Sequence, residues 1–362
     1  FFLYLTQMLK IKNSYNVIGL MSGTSIDGVD LCYSNFSYEN KNWKFLIRIA
    51  ETVPYEKSWI TRLTNAHGLS DIELKKLDLE YTSYLSKIIL HFIYKNQIDK
   101  IDFISSHGHT IFHEPKKKMT YQIGNRVELN KLTNISVVCD FRVQDVKFGG
   151  QGAPLVPIGD LLLFRDYSHC LNLGGFSNIS VKSNNNIIAY DICPVNIVLN
   201  KYSRLIGFEF DMEGQISKSG KIDNNLLKSL NSISFYSLTH PKSLGVEWVE
   251  NKIFPLIDSF KISTKDILRT YVEHIAIQIS NNLKGDNLKI LISGGGSKNK
   301  FLMDRIKKLS KKNLEIISEN ITDYKEALIF GFLGVLRIRN ENNCLKSVTG
   351  ADKDHSSGVI FE

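Results

Sequence analysis

One stretch constrains this chain more than any other: Tyr15 to Ser34, Y-N-V-I-G-L-M-S-G-T-S-I-D-G-V-D-L-C-Y-S. Val17, Ile18, Leu20 and Met21 suit a buried strand, and Val29, Leu31 and Tyr33 suit the strand that returns. Between them, Gly23 and Gly28 permit backbone angles that a side chain would forbid. Thr24 and Ser25 add hydroxyl donors, and the turn's backbone amides add more. A hairpin of this kind can hold polyphosphate oxygens in a nest of donors. Asp27 and Asp30 would then face a metal ion, directly or through water, because magnesium keeps most of its water. The same residue types also build ordinary polar turns, so both readings stay open at this point.

With 362 residues, the chain has room for two domains at roughly 150 residues each. No apolar run approaches the ~18 residues of a membrane span. The opening F-F-L-Y-L-T-Q-M-L-K has no basic lead or small-residue cleavage site, so it is not expected to act as a signal peptide. The net charge of +8 is spread, with lysines densest at 116–118, 307–308 and 311–312. No aromatic–basic interleaving accompanies it, which argues against nucleic acid and fits a solvated face or an anionic small substrate. The five cysteines, Cys32, Cys139, Cys170, Cys193 and Cys344, include no C-x-x-C pair. Most sit in apolar runs. That favours a reducing cytoplasm and argues against a zinc site or a disulfide frame.

Further along, Trp43 to Ala50 reads as a third strand. Ser70-Asp71-Ile72-Glu73 has capping-box spacing ahead of a helix faced by Leu77, Tyr81, Tyr84, Leu85, Ile88 and Phe92. Ile101 to Ser106 reads as a short strand ending at His107-Gly108-His109-Thr110, and Ile135 to Phe141 as another ending at Asp140-Phe141-Arg142. Polar groups at the carboxyl ends of strands are where open α/β sheets bind ligands. Lys147 to Pro157 is a glycine- and proline-rich loop. His169 to Val181 repeats the opening plan of strand, glycine turn and strand, and Asn186 to Ile192 adds a third strand. The repeat reads as an internal duplication. Ser263 starts a helix with Leu268, Tyr271, Ile275 and Ile279 on its inner face. Leu288 to Ile292 runs into Ser293-Gly294-Gly295-Gly296-Ser297 and a helix, matching neither a Walker loop nor G-x-G-x-x-G. A final helix is expected over Ala327 to Ile338. Glu326 falls at its first turn, where the helix dipole favours a carboxylate.

Taken in order, these motifs carry a resemblance: M-S-G-T-S-I-D-G-V-D at 21–30, S-H-G-H-T-I-F-H-E-P at 106–115, Q-I-G-N at 122–125 and D-F-R-V-Q-D at 140–145. G-G-Q-G-A-P-L-V-P at 149–157, N-L-G-G-F-S-N-I-S at 172–180, S-G-G-G-S-K-N at 293–299, K-E-A at 325–327 and S-V-T-G-A at 347–351 complete the series. Over nearly its whole length the sequence resembles the anhydro-N-acetylmuramic acid kinase family, part of the superfamily of sugar kinases, actin and chaperone ATPases. The resemblance implies an α/β, two-domain actin-like/sugar-kinase ATPase fold, with duplicated mixed sheets flanked by helices and an ATP cleft between them. It places an N-terminal domain at 14–165 and a C-terminal domain at 166–362, with the last helix free to pack back on the first domain.

For the site, the resemblance makes Asp191 the general base. It makes Gly23, Thr24, Ser25, Ile26, Asp27, Gly28, Val29 and Asp30 the ATP phosphate loop, with Asp27 holding magnesium through water. Gly174 and Gly175 would form the second phosphate hairpin, and Gly294, Gly295 and Gly296 would lie near the adenosine. Glu326, Arg142, Thr110, His109 and Asn196 would meet the sugar. ATP and Mg2+ follow as cofactors and a small sugar as partner, with no nucleic acid or membrane, and with a homodimer left open. The chain departs from the family at Asp191-Ile192-Cys193-Pro194-Val195-Asn196, where many members read D-T-G-P-G-N. Asn200 stands where relatives often carry aspartate, and His109 where glutamine is common.

A 1,6-anhydro sugar has no free hydroxyl at carbon 6, so phosphorylation must be coupled to ring opening by water. Two other readings share the fold: a kinase of a free amino sugar, and a catalytically silent sugar or nucleotide sensor.

Overall fold

The computed structural model describes residues 11–23, 26–183 and 186–362. In chain order the elements used below begin with β1 (Ser14–Ser22), β2 (Gly28–Glu39), β3 (Asn42–Pro54) and α1 (Asp71–Lys95). β4 (Phe103–Glu114), β5 (Met119–Ile123), β6 (Val137–Cys139) and α2 (Val143–Lys147) follow. Next come β7 (His169–Leu173), β8 (Phe176–Ser183), β9 (Asn186–Pro194), α3 (Asn196–Arg204) and α4 (Thr264–Asn282). The chain closes with β10 (Ile290–Ser293), α5 (Lys300–Ser310), β11 (Leu314–Glu315), α6 (Glu319–Ile338) and β12 (Val359–Phe361). Two compact units result. One takes in the residues up to Phe164 together with Tyr324–Glu362, and the other is Arg165–Asp323. Among the described residues no helix is long and apolar enough to cross a membrane.

The first unit holds a sheet ordered β12-β6-β4-β1-β2-β3, with β5 added on β4. β1, β2 and β3 form an antiparallel meander, while β4 runs parallel to β1 and β6 parallel to β4. Helix α1 begins at the expected capping box. Ser70 Oγ accepts from the Glu73 amide, and Glu73 Oε2 accepts from the Ser70 amide at 2.9 Å. Its predicted face is interior: Leu77, Tyr81, Leu85, Ile88 and Phe92 are buried with Ile18, Leu20, Val29 and Leu31 of the sheet. Removing such apolar surface from water is the main drive for this packing.

Helix α6 packs on the first sheet at unusually close range. A Cβ at Gly19 would come within 2.0 Å of the Ala327 carbonyl oxygen, and one at Gly334 within 2.6 Å of Ser105 Oγ. Ser105 Oγ also donates to the Phe330 carbonyl at 2.5 Å. The second unit holds a sheet ordered β11-β10-β7-β8-β9 around a core that includes Leu171, Ile179, Ile290 and Ile292. From α4, the predicted face of Leu268, Tyr271, Ile275 and Ile279 is buried against them.

Three sequence expectations change. β4 does not stop at Ser106 but continues to Glu114. Ser105, Ser106, His107 and His109 are buried and hydrogen-bonded, so they do not mark the strand's end. β6 is confined to Val137–Cys139. The last helix starts at Glu319, eight residues before Ala327, so Glu326 lies two turns in. Its carboxylate is therefore outside the first turn where the dipole acts.

Candidate active site

In the first unit, β1 ends at Ser22 and β2 opens at Gly28. Thr24 and Ser25 lie outside the described residues. Gly23 accepts from the Ile26 amide at 3.3 Å, and Ile26 has φ 53°, a strained setting for a β-branched residue. Asp27 is exposed, and its carbonyl accepts from the Tyr55 amide at 3.1 Å. Gly28 is needed for packing, since a Cβ there would meet the Val53 carbonyl oxygen at 2.5 Å. Val29 is in the core, so it offers a ligand only backbone. Asp30 Oδ1 accepts from Thr52 Oγ1 at 2.6 Å.

Gly108, at φ 74°, breaks the alternation of β4. Residues two apart on a strand normally share a face, yet His107 and His109 part company here. His107 packs at a tilt against Phe330 of α6, with ring centroids 4.6 Å apart, and His109 lies near Tyr81 of α1. His109 Nδ1 is 2.8 Å from Ser22 Oγ, which is 2.7 Å from the Tyr55 hydroxyl, itself 2.6 Å from the Tyr81 hydroxyl. Burial pushes His109 down to about 4, so it is neutral at physiological pH. This buried chain fixes the end of β1. Thr110 is half-buried and accepts a long bond, 3.4 Å, from Gln122 Nε2.

Arg142 follows the left-handed Asp140. Its Nε donates to His107 Nε2 at 2.8 Å and its Nη1 to the Gly152 carbonyl at 2.7 Å. His107 Nδ1 lies 2.9 Å from the Gly108 carbonyl, which can only accept. The ring is therefore the Nδ1–H tautomer with a bare Nε2 for the guanidinium. Burial, then the charge of Arg142, holds His107 well below the usual histidine range. Burial also pushes Arg142 down to about 10, with Glu326 opposing, so it stays charged at neutral pH. Glu326 has an open surface of its own, yet burial among protein groups raises its carboxyl while Arg142 and Lys325 pull it down. Lys325 is locked 2.7 Å from Asp160 in a buried ion pair. Sequence reasoning missed His107, Ser22 and Lys325 as site residues, although all three stand in or beside the quoted motifs.

An open recess of about 570 Å³ in this unit is lined by Asp78, Tyr121, Gln122, Asn125 and Arg126 among others, and by none of the predicted site residues. Asp78 explains the Q-I-G-N stretch structurally. It accepts from the Gly124 amide and the Tyr121 hydroxyl, both at 2.7 Å.

In the second unit, Asp191 pairs with Asn178, but the next pair is Cys193 with Ser177, leaving Ile192 as the extra residue of a bulge. Bulges re-aim side chains next to sites. Asp191 Oδ2 accepts from the Leu244 amide at 2.8 Å, and no described residue hydrogen-bonds Oδ1. Burial raises the Asp191 carboxyl to about 6, with the Leu244 amide opposing. Cys193 and Val195, which replace the two glycines of the D-T-G-P-G-N pattern, are part of the scaffold: both are buried, as is Ile192, and the Cys193 amide donates to Ser177 Oγ.

The Gly174 and Gly175 carbonyls accept the amides that open α3. The Val195 amide donates to Gly175 at 2.7 Å, and that of Asn196 to Gly174 at 3.2 Å. A Cβ on Gly175 would meet nothing, and one on Gly295 only the Asn196 amide nitrogen at 4.0 Å. No neighbour forces glycine there, as expected if a ligand approaches. Gly294 (φ 85°) and Gly296 are required by the end of β7, since a Cβ on either would come within 2.9 Å of Leu173. Asn196 Nδ2 reaches the Leu173 carbonyl at 3.5 Å.

The family model for anhydro-N-acetylmuramic acid kinase matches residues 15–362. A relative of that name from Mannheimia succiniciproducens is 34% identical, covering 95% of this chain and 98% of the relative. One from Pasteurella multocida is 34% identical over 95% and 96% of the two chains, and one from Haemophilus influenzae 31% over 98% and 99%. With identity of this extent along both chains, this chain belongs to the anhydro-N-acetylmuramic acid kinase family and is a kinase.

Proposed function

We propose that the chain uses ATP and water to open 1,6-anhydro-N-acetylmuramic acid and to phosphorylate O6, giving N-acetylmuramic acid 6-phosphate. Asp191 carries the chemistry: a carboxylate on a bulge, one oxygen held by the Leu244 amide, raised to about 6. A general base works best when its pKa lies near the working pH.

Asp191 Oδ1 takes a proton from water as the water oxygen attacks C1. The C1–O6 bond breaks with its electron pair on O6, O6 bonds to the γ-phosphorus of ATP, and ADP leaves. The proton on Asp191 is later returned to solvent, so atoms and charge balance. Glycosidases need a second carboxyl to protonate the leaving oxygen; here the phosphoryl group takes that place. Exposed Asp27 would hold magnesium through water, and the ion would neutralise phosphate charge when bound. Gly174, Gly175 and Gly295 give the nucleotide backbone it can approach closely.

Arg142, already oriented by His107 and Gly152, pairs with the sugar's lactyl carboxylate or with phosphate. Glu326 accepts from a sugar hydroxyl, and Thr110 and Asn196 border the ligand. His109 acts indirectly, by holding Ser22. The setting proposed is the cytoplasm, where peptidoglycan fragments are recycled.

The test supplies ATP, magnesium and either the anhydro sugar or the free amino sugar in isotopically heavy water. ADP release with the anhydro sugar and heavy oxygen at C1 is the expected result. ADP release only with the free sugar, or binding without ADP, overturns it in favour of an ordinary sugar kinase or a silent sensor.

A further inference from the structure

Beside Arg142, the first unit buries a second cluster of titratable side chains. Asp145 lies on α2, and Cys344 and His355 face each other across an antiparallel bridge. Their ligating atoms all lie within 4.8 Å of one another. Asp145 is 0%, Cys344 2% and His355 5% exposed.

The hydrogen bonds around the cluster leave a gap at its centre. His355 Nδ1 is 3.1 Å from the Lys353 carbonyl, which can only accept, so Nδ1 carries the proton in the neutral ring. Nε2 then presents a bare lone pair. It has no hydrogen-bond partner, and it faces Asp145 Oδ1 at 3.6 Å. Asp145 is oriented from behind: Oδ1 accepts from Thr349 Oγ1 at 2.8 Å and Oδ2 from the Gly152 amide at 2.7 Å. Two buried electron-rich atoms pointing at each other call for a cation between them.

We propose that Asp145, Cys344 and His355 bind one divalent transition-metal ion, with zinc the ion their donors suit best. Thiolate, imidazole and carboxylate are the three zinc ligand types. Around a tetrahedral ion with their usual bond lengths, neighbouring ligand atoms stand about 3.3–3.6 Å apart. The Nε2 to Oδ1 distance of 3.6 Å is already there, and the sulfur, within 4.8 Å of both, completes the set by moving inward. The Nδ1–H to carbonyl bond is the support that ligating histidines characteristically carry, and the Phe148 ring backs the imidazole with centroids 4.9 Å apart. Burial raises the Cys344 thiol, and a bound cation reverses this by holding the thiolate. The Arg142 guanidinium is the nearby positive charge; it opposes the ion and favours the thiolate. Water completes the coordination.

The ion would fasten two loops together. The Gln151 amide already donates to the Thr349 carbonyl at 2.7 Å, and the Asp352 amide to Phe148 at 3.0 Å. The fastened loop contains Gly152, whose carbonyl aims Arg142. The metal is thus a positioning element for the arginine. The sequence argued against zinc because no C-x-x-C pair occurs and most cysteines sit in apolar runs; here the other two donors are His355, eleven residues after Cys344, and the remote Asp145.

The experiment uses the full chain, reduced, stripped with a chelator and titrated with Co2+ alone. One equivalent should give a thiolate-to-cobalt charge-transfer band with the strong visible absorption of a four-coordinate ion, bleached by Zn2+. Cys344→Ser should lose the charge-transfer band and His355→Ala should bind at least about tenfold more weakly, both with wild-type circular dichroism. X-ray absorption of the wild-type zinc form should show one sulfur at about 2.3 Å, a readout independent of whether the variants fold. Absence of the band in the wild type, an unchanged band in Cys344→Ser, or no sulfur neighbour would overturn the site and leave an Asp145–His355 ion pair.

Discussion

Taken from the edge inward, β3-β2-β1-β4-β6 and β9-β8-β7-β10-β11 repeat one arrangement, an antiparallel meander followed by two parallel strands. The glycine turns at the same place in each are nevertheless held differently. The β7–β8 turn is braced by the amides that open α3, and its Gly175 faces open space. The β1–β2 turn is tied at its base, through Ser22 to His109 and Tyr55 and through Asp27 to the Tyr55 amide. Shared topology therefore does not fix how each turn is anchored. The second half carries Asp191, the proposed base, on a braced scaffold, and the first half carries Arg142 on loops.

The sharpest way to break this contrast is Asp191→Asn. Turnover should fall by about 10²–10⁴-fold while ATP binding is kept, read by steady-state kinetics and nucleotide titration; near-normal kcat would move the base elsewhere. Next comes a pair of glycines. Gly294→Ala should lose about 1–3 kcal/mol of stability, because the new methyl meets Asn172 and Leu173 at a positive φ. Gly175→Ala should stay within about 0.5 kcal/mol by denaturant melts yet raise KM for ATP. Equal melts for the two would erase the distinction between packing and ligand glycines.

The third prediction concerns pH. As the proposed base Asp191 must be ionised, so kcat should fall as pH drops below about 6. Its folded value lies above the ordinary 3.8, so ionising it costs stability as pH rises through that window. Asp191→Asn should accordingly melt higher than wild type near neutral pH, with the gap closing in acid. The smallest effect is expected from His109→Gln. A carboxamide can keep the bond to Ser22, so the change should cost no more than about 1.5 kcal/mol in melting experiments and only a few-fold in sugar KM. A large loss would show that the imidazole itself meets the ligand.

Local rules read correctly where one residue decides the outcome. Ser70 and Glu73 form their box, and Ser263 caps α4 by accepting from the Asp266 amide. The two-hairpin duplication was visible because apolar runs and glycine turns recur in the same order. Reading failed where polar residues are buried in mutual contact. His107 to Thr110 looked like a strand end, but each histidine has a partner brought from far along the chain, Arg142 for one and Ser22 for the other. The Ile192 bulge was equally hidden, since register depends on the strand opposite. Glu326 was misplaced within its helix because 319–326 is polar and lacks the apolar period that marked the rest.

The contact between Gly19 and Ala327 leaves the last helix no side-chain cushion against the central strand. Soft layers absorb small slips, but backbone lying on backbone transmits them whole. Glu326, one residue ahead of that contact, is thereby indexed to β1, the strand that leads into the first glycine turn. A single methyl at Gly19 would act as a shim, shifting the Glu326 carboxylate while every residue proposed to meet the sugar kept its identity.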